Sequence, residues 1–199
     1  MNEVRDQKYF ALDLELNNLN NGKTPRIIEV GVAIGSPCKP DQITSVNWYL
    51  DPEEGISPFI TKLTGITNET VAERSVLHVD LAKQLGALLE VNNCFVNPIT
   101  WGQGDADELK SEFRERGIDF PYFGRRILDI KTIFVFNQIA KGLTPSGGLK
   151  KAMGAYGIKF LGEPHRASVD AENTLRLFFH LLKRDRTVAQ FVDFAKTCK

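Results

Sequence analysis

Asp13 and Glu15 are two acidic residues in a segment, Tyr9 to Leu16, that is otherwise aromatic and aliphatic. Residues two apart on an extended chain project from the same face, which brings their carboxylates within several ångströms of each other. A solvated strand face would carry such a pair without difficulty. The other residues, however, are apolar enough for a central, covered strand, where two unpaired carboxylates are costly. A cation is then required beside them, and hard oxygen ligands with no Cys or His between them suit Mg2+ or Mn2+ better than zinc.

A second cluster, His165-Arg166-Ala167-Ser168-Val169-Asp170-Ala171, stands at the mouth of the strongest helical pattern in the chain. Ser168 is the expected N-cap, and Asp170 falls in the first turn, where the helix dipole favours an anion. Capping alone would account for Asp170, and a lone histidine is more often structural than catalytic. In company the two say more: His165, on a loop flanked by Gly162 and Pro164, is placed to accept a proton near neutral pH beside a carboxylate site. The third cluster is Trp101-Gly102-Gln103-Gly104-Asp105, a strand end, two glycines and an acid opening a helix. A helix cap would explain Asp105 by itself. Gly102-x-Gly104 is not a dinucleotide fingerprint, because position 107 is Asp, and Asn21-Gly22-Lys23-Thr24 is not a phosphate loop, because position 17 is Asn.

The elements that must position these residues follow from hydrophobic periodicity. Tyr9–Leu16 alternates, with Phe10, Leu12, Leu14 and Leu16 on one face and Ala11, Asp13 and Glu15 on the other, which predicts a strand. Ile27–Ile34 and Ile43–Leu50 predict two more, and their short connections predict an antiparallel meander. Leu77, Leu81, Leu85, Leu88 and Leu89 recur at helical spacing. Cys94–Trp101 reads as a fourth strand, against the objection that Pro98 removes a ladder hydrogen bond. Helices are expected over Asp105–Arg116, Ile133–Ala140, Gly148–Tyr156 and Ser168–Lys183, with a fifth strand at Arg126–Ile130 and a last helix marked by Val188, Phe191, Val192 and Ala195. Strands first, then β and α mixed, predicts an α/β fold with a mixed sheet flanked by helices. No repeat or linker divides residues 1–199, so one domain is expected.

Composition excludes several classes of function. With 199 residues and 42% hydrophobic side chains, folding can bury roughly 70% of the extended chain's surface without disulfides or a structural metal. The 25 basic and 25 acidic residues balance, which argues against non-specific coating of duplex nucleic acid. The balance hides an asymmetry. Residues 1–99 carry 8 basic and 13 acidic side chains and residues 100–199 carry 17 and 12, a weak pointer to a polyanionic partner. Three cysteines, far apart and without a CxxC pair, fit a reducing, cytoplasmic setting. No apolar stretch approaches the roughly 18 residues of a membrane span, and the first residues lack the apolar core of a secretory signal.

Taken in register, Asp13-x-Glu15, Asp105 after the fourth strand and His165-x4-Asp170 resemble the three exonuclease motifs of the DEDDh, or DnaQ-like, 3′-to-5′ exonuclease superfamily. The order, the intervals and the local contexts agree across nearly the whole chain. Ile27-Ile28-Glu29-Val30-Gly31, Leu63-Thr64-Gly65-Ile66-Thr67, Leu128-Asp129, and Leu149 ahead of Gly157-Ile158 resemble family features too. Arg166 stands where the sister group has Tyr, and His165 stands at the spacing of the histidine group. Proofreading subunits have His-Asn-x-x-Phe-Asp at the second motif. Here the residues are Thr100-Trp101-Gly102-Gln103-Gly104-Asp105, which is similar to the small-RNA and histone-mRNA trimming exonucleases and their bacterial relatives.

The resemblance implies a ribonuclease H-like fold with a five-stranded mixed sheet. It implies two divalent ions, Mg2+ or Mn2+, with Asp13, Glu15 and Asp170 as ligands, Asp13 bridging, Asp105 acting largely through bound water, and His165 as the general base. The expected product is a nucleoside 5′-monophosphate released stepwise from the 3′ end of single-stranded RNA or DNA, with RNA favoured. By the same analogy the backbone at Leu16 and Asn17 meets the terminal nucleotide and Ile66, after Gly65, wedges beside its base; packing in the core is an equal reading for Leu16 and Ile66. Arg125, Arg126, Lys150, Lys151 and Arg166 are candidate phosphate-steering cations. The alternatives are a DNA proofreading or repair exonuclease of the same superfamily, a nucleic-acid-binding module without turnover, and a structural subunit whose acids are caps. Protein partners are not specified, and a homodimer stays open.

Overall fold

The computed structural model describes residues 6–19, 24–120, 123–145 and 147–197, and only the backbone of residues 186 and 188–197. Five strands form one sheet in the order β3-β2-β1-β4-β5. β1 (Tyr9–Asn17), β2 (Arg26–Ser36) and β3 (Lys39–Tyr49) make the expected antiparallel meander, while β4 (Ile99–Thr100) and β5 (Leu128–Asp129) add in parallel. The sheet is therefore mixed. β1 lies at its centre, as its apolar content requires.

Alternation along β1 divides the core into two layers. Phe10, Leu12 and Leu14 face one side, where Val30, Val32 and Ile34 of β2 join them. That side is covered by Leu81 and Leu85 of α3 (His78–Val91) and by Ala106, Leu109 and Phe113 of α4 (Asp105–Glu115). Ala11 and Ala33 face the other side, under Ile130 and Phe134 of α5 (Ile130–Ala140), Leu149, Ala152 and Met153 of α6 (Leu149–Ala155), and Ala171, Leu175 and Phe179 of α7 (Ala167–Thr197). Each such buried large side chain contributes about 1.5–3 kcal/mol relative to exposure. Small residues on this second face let α7 approach closely. A Cβ at Gly31 would overlap the backbone of Ala167 and Ser168, so only glycine permits the contact.

Four expectations about the elements need correction. The fourth strand does not run from Cys94 to Trp101. Phe95 N–H bonds to Lys8 O, but the regular ladder is confined to Ile99–Thr100, immediately after Pro98, whose missing N–H prevents an earlier start. The fifth strand is likewise short, because Asp129 turns to accept the backbone N–H groups of Lys131 and Thr132 and starts α5 at Ile130. Two helices were not foreseen, α1 (Pro58–Thr64) and α2 (Asn68–Arg74), each two turns long and so too short for a periodic signal. The last two helices are a single one, α7, since no Gly or Pro interrupts residues 183–188 and only the apolar stripe fades there. The side chains of Val188, Phe191, Val192 and Ala195 lie outside the described residues, as does most of Asn21-Gly22-Lys23-Thr24. Among the described residues no helix is long and apolar enough to cross a membrane.

Candidate active site

The side of β1 that carries Ala11 also carries Asp13 and Glu15, paired across the strand with Gly31 and Glu29. Where β1 passes the start of α7, the apolar layer gives way to a cleft of about 440 Å³. Asp13, Glu15, His165 and Asp170 all line it, with Leu14, Trp101, Lys150, Phe160 and Pro164 as further walls. Glu15, His165 and Asp170 form its tightest part, each offering a ligand atom within 4.8 Å of the other two. Asp13 opens on the same cleft without joining that trio. Asp105 does not line the cleft; it sits in the first turn of α4 and is near enough for its charge to act on Asp13 and Glu15.

Local structure explains each placement. Gly102 and Gly104 adopt φ of 101° and 122°, which admit the sharp turn between β4 and α4 that other residues resist. Gly102 N–H also bonds to Asp129 Oδ1 at 3.0 Å, tying this turn to the cap of α5. On the far side, His165 takes φ 62°, and its backbone N–H donates to Asp170 Oδ2 at 2.9 Å. Ser168 is not the N-cap expected from sequence. α7 starts one residue earlier, at Ala167, and the acceptor for the Ala167 N–H is the distant carboxylate of Glu29.

The electrostatics describe acids held together against their preference. Burial first, then the charges of Asp105, Asp170, Glu15 and Glu29, raise Asp13 well above the ordinary aspartate range. Glu15 is pushed up to about 8 by burial and then by Asp170, Glu29 and Asp105, with Arg166 pulling the other way. Burial, then Asp129 and Glu108, take Asp105 to about 7. Burial raises Asp170 as well, against the lowering effect of the His165 backbone N–H and then the His165 charge. Among the described residues no Lys or Arg makes an ion pair with any of these four. Crowded carboxylates beside one imidazole, with no Lys or Arg ion-paired to them among the described residues, fit hard divalent metal ions. Dispersed acids acting only as caps are not what the chain builds.

Other expected contacts fall elsewhere. Ile66 is 1% exposed and packs with Ile28, Tyr49, Ile56, Ile60 and Val71, so of its two readings the geometry supports packing. Asn17 is fully buried; its side chain donates to Gly55 O at 3.1 Å and accepts from Ser57 N–H at 3.0 Å, holding the segment that leads into α1. Gly65 is the left-handed cap of α1, and Leu16 is half-buried against the Phe10 layer. None of Leu16, Asn17, Gly65 and Ile66 lines the cleft. Arg166 is occupied by Glu29, and Arg125 and Arg126 do not border the cleft either, whereas Lys150 does. Trp101 and Phe160 were not expected there. Trp101 sits among the motif residues and so carried a signal, but Phe160 reads as one more apolar residue.

A ribonuclease H-like sheet with three carboxylates and one histidine in a cleft, and the charge of Asp105 acting from beside it, fits the class of metal-dependent phosphodiester-cleaving domains, and the comparisons with known proteins agree. The exonuclease family model of RNase T type matches residues 10–178. The chain belongs to this exonuclease family, whose DEDDh members use divalent metal ions. It is similar to ERI1 exoribonuclease 2 of Danio rerio, 27% identical over 173 residues, covering 76% of this chain and 30% of that protein. It is also similar to ERI1 exoribonuclease 2 of Mus musculus, 25% identical over 196 residues, covering 87% and 28%. The chain thus spans under a third of the length of these curated relatives. Among solved structures, the nuclease domain of 3′hExo, a DEDDh family member bound to rAMP, superposes with a TM-score of 0.77 at 17% identity, covering 91% of this chain and 94% of that one. A 3′-exonuclease described with a histone mRNA stem-loop superposes at 0.75 and 18%, covering 89% and 82%. At these identities the likeness shows a shared fold.

Proposed function

We propose that the chain is a 3′-to-5′ exonuclease that removes nucleoside 5′-monophosphates from the 3′ end of single-stranded nucleic acid, RNA in preference to DNA. The observation that carries this reading is the convergence of Glu15, His165 and Asp170 within 4.8 Å, in a cleft that Asp13 shares. Asp13, Glu15, Asp105 and Asp170 are the residues to hold two Mg2+ or Mn2+ ions. When bound, such ions supply Lewis-acid activation of water and neutralise charge on the departing oxygen. The imidazole of His165 takes the proton of the attacking water, and its exposed place on the cleft rim lets it pass that proton to solvent. Trp101 and Phe160 offer apolar walls for the terminal base, in a cleft that admits unstacked ends. Lys150, whose Nζ stands 5.8 Å from the centre of the Phe160 ring, is the cation placed to meet a phosphate. Leu16 and Asn17 end β1 directly after Glu15 and outside the cleft lining, so a contact of their backbone with the terminal nucleotide rests on the family resemblance alone. The names of the similar relatives, exoribonucleases, support RNA over DNA.

The test is matched digestion of 5′-labelled single-stranded RNA, single-stranded DNA and each duplex, with and without Mg2+ or Mn2+. A metal-dependent ladder shortening from the 3′ end, fastest on single-stranded RNA, is expected. Shortening from the 5′ end, or no cleavage with either metal, would overturn the assignment.

A further inference from the structure

Glu29 lies in the middle of β2 with no exposed surface, directly across the strand pair from Glu15. Like charges placed opposite each other in a sheet are destabilising, so a second carboxylate here needs a reason. Its partners supply one. Oε1 accepts from Arg166 Nη2 at 2.9 Å and Asn47 Nδ2 at 2.8 Å, and Oε2 accepts from Ala167 N–H at 3.0 Å and Arg166 Nε at 3.3 Å. Arg166 also donates to the Tyr49 hydroxyl and lies over the Tyr49 ring. The fork of Arg166 and the first N–H of α7 are therefore clamped on β2, where Gly31 leaves room for the helix to approach.

His165 is the residue immediately before this clamp. It is exposed, its φ of 62° is one that non-glycine residues avoid, and its backbone N–H is held by Asp170. Its ring reaches Glu15 and Asp170 because the backbone on either side is fixed, at Asp170 through its own N–H and at Glu29 through Arg166 and Ala167. We infer that Glu29 is a positioning residue: through its two-point hold on Arg166 and the Ala167 N–H it fixes the strained loop that aims His165 into the cleft. A carboxylate suits this place because both of its oxygens accept, Oε1 from Arg166 and Oε2 from Ala167 N–H and Arg166. Glutamine would turn an NH2 toward donors, and Lys at position 166 would keep the charge but lose the fork.

This inference rests on the proposed role of His165, and one set of variants separates the two. Glu29→Gln, Arg166→Lys and His165→Ala are made singly, and each of the first two is combined with His165→Ala. Single-turnover rate and KM are measured on metal-loaded protein whose melting curve shows a folded state. Each clamp variant is expected to lower the rate about 10- to 100-fold, the range for groups that orient a catalytic residue, with KM within about threefold of wild type. In the His165→Ala background the same substitutions should change the rate less than about twofold, since there is no ring left to aim. An equal loss in both backgrounds, or a loss confined to KM, would overturn the inference and leave the role of His165 standing. Full activity in His165→Ala would remove the reading beneath it as well. If Glu29→Gln does not fold, Arg166→Lys decides alone, because Arg166 is 35% exposed at its side chain and its replacement leaves Glu29 a cationic neighbour.

Discussion

Glu15 on β1 and Glu112 on α4 are both glutamates with less than a tenth of their surface exposed, and their surroundings drive them in opposite directions. Glu112 Oε1 pairs with His78 Nε2 at 2.8 Å, Oε2 accepts the Ile27 N–H at 3.0 Å, and Arg116 Nη2 lies 3.5 Å away. Burial raises it, but the His78 hydrogen bond, the Ile27 N–H and the charges of His78 and Arg116 outweigh burial and hold it below the ordinary value of 4.5. Glu15 meets Asp170, Glu29 and Asp105 instead, and rises to about 8. A buried carboxylate that only ties a helix to a strand is given its donors by the chain. One left among other acids marks a place where the balancing charge must come from outside.

The contrast is broken most forcefully by neutralising an acid of the cleft. Asp13→Asn removes a proposed metal ligand and relieves repulsion among Glu15, Asp105 and Asp170. Turnover should fall about 10³-fold or more, equivalent to about 4 kcal/mol of barrier. Over the same substitution the melting temperature of the metal-free protein should rise, not fall, because a strained carboxylate has been replaced by an amide. Loss of activity together with loss of stability would mean that Asp13 is built like Glu112. Glu112→Ala should show the reverse pattern. Removing one partner of a buried pair costs about 3 kcal/mol, or about 6–12 °C in a chain of this size, while the rate per folded molecule at low temperature stays near wild type.

Titration sharpens the same division. Glu15 binds its proton more tightly folded than unfolded, so its contribution to stability is complete below about 4.5 and is lost as pH rises toward about 8. Asp105 adds to this between its ordinary value of 3.8 and about 7. Glu112, held below 4.5, contributes above that pH and is lost on acidification. Melting curves in EDTA should therefore show falling stability from pH 5 to 8. Mn2+ held at one concentration, about 100 times its dissociation constant at pH 8, should restore about 2.7 kcal/mol, or about 5–10 °C, at pH 8 and less at pH 5, where protons compete for the carboxylates. A metal-free protein equally stable across that range would contradict the strain assigned to the cleft.

Much of this division was legible in sequence, for identifiable reasons. Alternation in Phe10, Leu12, Leu14 against Ala11, Asp13, Glu15 placed two acids on one face of a strand, and nothing in the rest of that strand could neutralise them. Asp170 and His165 were legible through their positions around a helix start, and Asp105 through the glycines before it. The partners of Glu29 and Glu112 were not legible. Arg166 lies 137 residues from Glu29, and His78 lies 34 residues from Glu112, so no local spacing connects them. The signal that could have found Glu29 was its mere presence, an acid inside the otherwise apolar strand Arg26–Ser36. Ile66 carried two equal readings in sequence, beside a substrate base or in the core, and the packing that supports the second joins it to Ile28, Tyr49, Ile56, Ile60 and Val71, which no local spacing reveals.

The smallest expected effect concerns Lys150, among the described residues the one Lys or Arg that lines the cleft. Lys150 is exposed and rests over Phe160 in a weak cation–π contact, so the fold does not depend on it. If it meets a phosphate, Lys150→Ala should raise KM about threefold to tenfold, leave the rate at saturating substrate within about twofold, and leave the melting temperature unchanged. The discriminating readout is salt. One fewer neutralised phosphate should reduce the slope of log KM against log salt by about 0.7 on single strands. An unchanged slope with a raised KM would place Lys150 as a support for Phe160 and not as a phosphate contact, and Phe160→Leu would then reproduce the defect.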